Sequence, residues 1–285
     1  MTKPTDGQLS SPDERLTQVL RHVYCVRQAA EASPYLKQLV PNYEVLLVLN
    51  FGANVPVTLG GTPFIVERTA LLGPLQTVLQ YEVPPGADFM VVVFALNGFY
   101  RLVNVAMRPP RFCVHKFRAK NSREPLLNSP DFNDLWEALA TQATRTDRLE
   151  RFNEWVLRRL SDVNDDTSTL LDSVAHFNNP AIDPVKAMAQ TRQLSTRSIQ
   201  TRFQTHLGFS AKELVRFIRF KNVVTYLLEQ HPVPPDWTGV VVRFGYHDQS
   251  HLSKDFQRFM NLTPTEFARQ LADDTFCLTQ PGAYY

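Results

Sequence analysis

The order of apolar and polar residues gives the chain two textures. Between residues 40 and 95 the apolar positions come in short runs. Residues 43–50 (YEVLLVLN), 55–59, 64–67, 77–83 and 89–96 are rich in Val, Leu, Phe and Tyr, and are broken by Gly60-Gly61-Thr62-Pro63, Gly73-Pro74 and Pro84-Pro85-Gly86-Ala87. Runs of β-branched and aromatic residues bounded by turn formers predict strands, here at the spacing of a small antiparallel sandwich or barrel. Residues 98–105 switch to a short helical pattern, and Pro109-Pro110 ends the unit. Further on, Phe132, Leu135, Trp136 and Leu139, then Leu149, Phe152, Trp155, Val156 and Leu160, recur at three- and four-residue steps, which predicts helices over 131–163.

Residues 161–169 (SDVNDDTST) form an acidic polar break, followed by one more short helical pattern at 170–177 and by helical periodicity throughout 181–270. The expected fold class is therefore α+β: a β-rich N-terminal sandwich or barrel-like domain with helices, then an all-α domain. The boundaries are 1–165 for the first unit, 166–180 for a linker, 181–272 for the helical unit and 273–285 for a tail. Residues 1–15 are polar, contain a Ser-Ser-Pro-Asp turn, and read as a second loose tail.

The helical unit repeats itself. At an offset of 53, Ile199 matches Leu252, Phe203 matches Phe256, Gln204 matches Gln257 and Leu207 matches Met260. The pairing continues with Phe209 and Leu262, Ser210 and Thr263, Glu213 and Glu266, and Leu214 and Phe267. Apolar residues at i, i+4 and i+8 make one stripe of a helix, with Ser195 or Asp248 placed as its N-cap. Upstream of each cap is a short helix and a tight turn, Arg192-Gln193-Leu194 in one copy and Phe244-Gly245-Tyr246 in the other. Helix, tight turn and capped second helix is the helix-turn-helix pattern, here twice. Between the copies, 211–230 is helical in pattern. A helix of about 19 residues spans roughly 28 Å, close to the roughly 34 Å of one DNA turn, so it can hold two reading helices over successive major-groove faces.

Composition changes this picture little, and charge changes it more. With 44% hydrophobic residues the chain is too apolar for a disordered protein, and 3 widely spaced Cys exclude a disulfide scaffold. The cysteines read as buried thiols in a reducing cytoplasm. No apolar core follows a basic start in residues 1–30, so no signal peptide is expected, and the longest apolar run, 89–96, is far below the roughly 20 residues of a membrane helix. The net charge of +2 looks uninformative, but residues 1–179 carry 18 basic and 19 acidic groups, 180–270 carry 12 and 7, and 271–285 carry only 2 acidic ones. The positive excess sits in the helical half, where a phosphate-binding surface needs it.

Residues 181–270 resemble the tandem helix-turn-helix DNA-binding domain of the AraC/XylS transcriptional regulators. The resemblance is carried by Met188-Ala189, Ser195, Arg197, Ile199-Gln200, Arg202-Phe203, Gly208, Arg219-Phe220 and Trp237, and above all by GYHDQSHLSKDFQRF at 245–259 followed by Leu262-Thr263-Pro264. It covers about a third of the chain, and the last stretch is a highly specific signature. Residues 40–165 resemble, more loosely, the β-rich N-terminal domain of one subgroup, including the strand and Gly-Phe-Tyr turn at 94–100. Two positions depart from the pattern: Gln193 stands where the first turn usually has Gly, and Val241 where the second helix crossing usually has Ala.

In a helix-turn-helix the groove-facing side chains lie near the start of the second helix, off its buried stripe. In the first copy this leaves Thr196, Arg197, Gln200, Thr201 and Gln204, of which the resemblance places Arg197, Gln200 and Thr201 at base-contacting positions. Arg pairs bidentately with guanine and Gln with adenine. In the second copy Gln249, Ser250, His251 and Lys254 lie on the groove side. Arg202, Lys212, Lys221 and Arg258 are candidate phosphate contacts, which position a domain without specifying sequence. Asp248 is explained as an N-cap, and Asp255 as the partner of a neighbouring Lys or Arg.

For the N-terminal half, the resemblance implies that the β-rich domain binds a small effector and that the helices near 131–160 help a homodimer form. Tyr43, Phe51, Phe64, Tyr81, Phe89, Phe94, Phe99 and Tyr100 either line a pocket or fill the sheet core. The stripe Leu149, Phe152, Trp155, Val156 and Leu160 is either a dimer seam or packing onto the sheet. A metal enzyme of the cupin type needs two His one residue apart with a carboxylate nearby. Only His22, His115 and His176 precede the helical half, each alone, and no nucleophile elbow or phosphate loop occurs. No catalytic residue, metal or cofactor is expected. A helical adaptor that contacts only protein is the remaining alternative, and the retained set Arg197, Gln200, Gln249 and Lys254 speaks against it. The expected protein is a cytoplasmic transcriptional regulator that binds double-stranded DNA at a promoter or operator and, if an activator, contacts RNA polymerase.

Overall fold

The structure, a computed structural model, describes residues 7–41, 44–73, 75–95, 98–103, 130–160, 184–207, 210–230, 233–271 and 276–277. Tyr43, the break at 161–169, the linker at 166–180, the helix expected at 170–177, and Cys113, His115 and His176 lie outside the described residues, as does the side chain of Tyr100.

The N-terminal unit is a sandwich of two five-stranded sheets. The first holds β1 (Gly7–Ser10), β2 (Leu20–Arg27), β4 (Leu46–Asn50), β7 (Thr69–Leu72) and β9 (Asp88–Phe94), in the antiparallel order β1-β2-β9-β4-β7. The second holds β3 (Tyr35–Leu39), β5 (Val55–Leu59), β6 (Thr62–Val66), β8 (Leu79–Val83) and β10 (Phe276–Cys277), in the order β10-β3-β8-β5-β6. Among the described residues only the β10–β3 pairing is parallel.

The near-continuous apolar runs of β4 and β9 have a physical reason: the first sheet is covered on both faces. Leu46, Val48 and Val93 pack between the sheets with Val55, Val57, Leu59, Leu79 and Val83. Their neighbours Leu47, Leu49, Val92 and Phe94 point the other way, toward three helices: α1 (Gly98–Val103), α2 (Pro130–Ala140) and α3 (Arg145–Arg159). Among the described residues the outer face of the second sheet is uncovered, and β5 and β6 keep the alternation of a half-buried strand. Gly98 starts α1 against the chain at Val19, where a Cβ would lie 1.8 Å from the Val19 carbonyl oxygen.

The structure bears on two alternatives that the sequence leaves open. Three residues of the α3 stripe, Phe152, Trp155 and Val156, are buried with Phe132, Leu135 and the first sheet, and Leu149 and Leu160 pack against them partly buried. The aromatic residues of the β-rich unit are largely core. Phe94 meets Phe99 edge-on at 5.3 Å, Tyr81 meets Phe89 at 6.4 Å, Phe64 packs partly buried in the same intersheet core, and Phe51 stacks on Trp136 at 6.1 Å. Two corrections concern the ends. Residues 7–10, expected in a loose tail, form β1 because they pair with β2 along its open edge. Residues 276–277, also expected in a tail, return to the sandwich as β10, beside β3.

Asn50 pins the helices to the sandwich. It is fully buried, and its Nδ2 donates to the carbonyls of Ala53 (3.1 Å), Val66 (3.2 Å) and Glu67 (2.9 Å). Its own carbonyl accepts from Trp136 Nε1 at 2.7 Å. Beside it runs a stack in which the Arg68 guanidinium lies 4.6 Å over Trp136 and that of Arg148 4.2 Å over Phe51. Arg148 also reaches Asp88 at 2.9 Å.

The helical unit contains α4 (Pro184–Thr191), α5 (Thr196–Leu207), α6 (Ala211–Gln230), α7 (Trp237–Arg243), α8 (Gln249–Met260) and α9 (Pro264–Gln270). It meets the sandwich through Val40 and Val78, which pack into the α6–α8 core, and through Glu44. That carboxylate is buried and lies 3.4 Å from Arg21 on β2 and 3.9 Å from Lys221 on α6. His22 is buried at the same junction. Desolvation pushes its pKa down to about 4, helped by the Lys221 and Arg21 cations and opposed by Glu44.

Two measurements test this description. Asn50→Leu leaves three carbonyls without their donor, so unfolding in urea should need about 2–4 kcal/mol less, with an unchanged slope. A histidine in the unfolded chain titrates near 6.5 and His22 in the folded one at about 4, so between those values the unfolded chain holds the extra proton. Stability is therefore full above about pH 6.5 and falls by up to about 3 kcal/mol as the pH drops toward 4. His22→Gln should flatten that part of the curve; a variant with the wild-type pH dependence would exclude His22 as its source.

Candidate nucleic-acid interface

The 53-residue repeat holds in three dimensions for every helix start. Helices α4 and α7 begin at 184 and 237, α5 and α8 at 196 and 249, and α6 and α9 at 211 and 264. The caps repeat too. Ser195 Oγ accepts from the Ser198 amide at 3.0 Å, as Asp248 Oδ1 does from the His251 amide at 2.7 Å. One helix later, Ser210 with Glu213 and Thr263 with Glu266 form reciprocal capping boxes, each carboxylate reaching back to the cap amide. The paired Ser/Thr and Glu positions of the repeat are the sequence signal for these boxes.

The two turns close alike and differ in one residue. Gln193 and Leu194 donate to the carbonyls of Gln190 and Ala189, and Gly245 and Tyr246 to those of Val242 and Val241. Both Gln193 (φ 52°) and Gly245 (φ 67°) are left-handed. The second turn then carries an extra residue, His247, before the cap. Val241, the β-branched residue at the second crossing, is accommodated in the core with Val240, Leu252 and Phe256.

Helix α6 belongs to both copies. Its Leu214 and Ile218 bury against Met188, Ile199 and Phe203, and its Phe217, Phe220, Val224 and Leu227 against Leu252, Phe256 and Phe259. With those stripes inward, Arg197, Gln200 and Thr201 are exposed together on α5, and Gln249, Ser250 and Lys254 on α8. His251 is half-buried. Both reading sets thus stand at the start of a capped helix, outside its buried stripe, which is the geometry for entering a major groove.

Asp255, the acidic residue that looks out of place on a reading helix, faces inward and is fully buried. It accepts from Arg216 Nε and from the Tyr246 hydroxyl (3.1 Å), and Arg219 lies 3.5 Å away. Its burial and its neighbour's charge push the Tyr246 phenol well above its ordinary value. The candidate phosphate residues divide. Lys212 is exposed and Arg202 half-buried at the first copy. Lys221 is instead held at the junction by Glu44, with its side chain 14% exposed. Arg258 lies 3.9 Å from Glu213 and lines a crevice with Leu75 and Gln76 of the sandwich. Lys221 is thus turned toward the junction, whereas Arg258 stays exposed beside Glu213.

Two capped reading helices on one shared helix define a tandem helix-turn-helix DNA-binding unit. Residues 188–270 match the family model of a helix-turn-helix domain. Among solved structures the chain is similar to ToxT from Vibrio cholerae, at 11% identity over 93% of this chain and 98% of that one, with a TM-score of 0.43. It is similar also to ToxT from strain SCE256 in a structure described as bound to an unsaturated fatty acid, at 10% identity over 94% and 96% of the two chains, with a TM-score of 0.41. A Neisseria meningitidis protein, NMB1881, is similar over 33% of this chain and 89% of its own, at 6% identity and a TM-score of 0.23. No curated protein matches the chain in sequence. Among the described residues no helix is long and apolar enough to cross a membrane.

The turn at Gln193 offers a direct check. A side chain in the left-handed region costs about 1 kcal/mol that glycine does not incur. Gln193→Gly should therefore raise stability by about 0.5–1 kcal/mol, seen as a higher midpoint in thermal unfolding; a lower midpoint would show that the turn is not strained.

Proposed function

We propose that the chain is a transcriptional regulator of the AraC/XylS type that reads two successive major-groove segments of one operator, with Arg197, Gln200 and Thr201 in the first and Gln249, Ser250, His251 and Lys254 in the second. Arg202 and Lys212 hold phosphates. The observation that carries the reading is the joint exposure of both sets at the starts of capped helices fixed to the shared helix α6. The β-rich unit senses a small effector or forms a homodimer, supported by its tie to α6 through Val40 and the Glu44–Lys221 pair. Acting as an activator in the cytoplasm, the protein would contact RNA polymerase while bound.

Genome-wide binding with the purified protein tests this. Arg197→Ala and Lys254→Ala should each lower specific affinity roughly 5- to 150-fold, the effect of losing one good base contact, and broaden the selected sequence. Affinity should fall steeply with salt as condensed cations are released. Binding that is insensitive to sequence, or a pair of variants that bind as well as the wild type, would overturn the site assignment. A shallow salt dependence would point to the adaptor alternative.

A further inference from the structure

His251 is the half-buried member of the two reading sets, and Arg219 packs beside it. From α6 the Arg219 guanidinium lies 4.3 Å over the Tyr246 ring and donates through Nη1 to the Gly245 carbonyl at 3.3 Å. Its Nη2 lies 3.5 Å from the Asp255 carboxylate and 3.1 Å from His251 Nε2. A guanidinium carries donors only and does not deprotonate in proteins. His251 Nε2 must therefore be the acceptor, and the single ring hydrogen sits on Nδ1. That Nδ1 makes no hydrogen bond among the described residues and is not sealed from solvent. The Tyr246 ring meets the imidazole edge-on at 5.1 Å and limits its rotation.

Resting on the regulator reading above, we propose that Arg219 is a positioning residue that fixes His251 as a neutral Nδ1–H donor. The second reading helix then selects, at that position, a base presenting an acceptor in the major groove: a purine N7, guanine O6 or thymine O4. A cytosine amino group, itself a donor, is refused. The charges around the ring agree. Burial first and the Arg219 cation second hold the imidazole below the ordinary histidine value, Arg216 adds to them, and the carboxylates of Asp255 and Asp248 oppose them. On the turn, His247 lies 3.4 Å from Asp248, and Lys254 is exposed one turn further along α8.

Nitrogen-15 NMR of the imidazoles in the full-length protein, without DNA, reads the tautomer directly. The expected result is Nδ1–H for His251 at about pH 8, with the ring taking up its second proton at a lower pH than an ordinary histidine. Arg219→Gln, whose amide can accept as well as donate, should release the ring to the mixed tautomers of a free imidazole. An Nε2–H tautomer or a charged ring at pH 7 in the wild type would overturn the proposal, whatever Arg219→Gln does to folding. Operator selection gives the second arm. Wild-type protein should lose roughly 5- to 150-fold in affinity when one purine in the second half-site is replaced by its 7-deaza analogue or one thymine by cytosine, whereas His251→Ala should not respond. If His251→Ala instead weakens all sequences equally, the donor meets a phosphate and base selection is overturned. Failure to bind any DNA would overturn the regulator reading, a result kept apart from the tautomer, which is measured on the free protein.

Discussion

A trihelical reading unit is too small to bury its own apolar faces, and this constraint organises the C-terminal half. Helix α6 meets it by lending one end of its apolar surface to each copy: Leu214 and Ile218 to the first core, Phe217, Phe220, Val224 and Leu227 to the second. The reading helices are thereby fixed to one rod of 20 residues, about 30 Å long. Their spacing is a consequence of how the cores are filled, and α6 cannot bend between them without opening one core. Substitutions along this helix that touch no DNA should therefore still disturb reading.

The second copy carries a device that the first lacks. Its reading helix brings a carboxylate, Asp255, into the core, where leaving it unpaired would cost several kcal/mol. Arg216, Arg219 and the Tyr246 hydroxyl surround it, and Arg219 passes the arrangement outward to His251. The ion network is not by itself a source of stability, since apolar residues of the same volume could fill the site. In the first copy Ile199 and Phe203 pack in an apolar cluster, and Arg197, Gln200 and Thr201 are exposed. The two halves of the repeat thus differ: His251 at the start of the second helix is held by Arg219, while Arg197, Gln200 and Thr201 at the start of the first are exposed.

How much of this the sequence disclosed depends on whether a feature leaves a periodic trace. The tandem helices were legible because stripe, cap and turn recur at a fixed offset, and Asp248 and Asp255 could be assigned to cap and ion pair from position alone. Residues 55–59 and 89–94 were legible as strands from their texture. β1, β2, β3 and β7 were not, because LRHVYCVR and YLKQL mix polar and apolar residues in short segments whose state is decided by pairing. β10 was invisible for a stronger reason: two residues carry no pattern, and only the edge of β3 makes them a strand. The direction of Lys221 was equally hidden, since nothing in a helical charge tells whether DNA or a buried Glu44 lies opposite.

That junction links the two units in energetic terms. Glu44 is buried beside one cation from β2 and one from α6, and Val40 and Val78 continue the α6–α8 core into the sandwich. Separating the units would take Lys221 away from Glu44 and expose the part of the second core that Val40 and Val78 cover. The helix that the sandwich holds is the one on which both reading helices are mounted. A change in the β-rich unit that moves Glu44 therefore acts on the relative placement of both reading surfaces at once, through contacts already present, and needs no separate path through the protein.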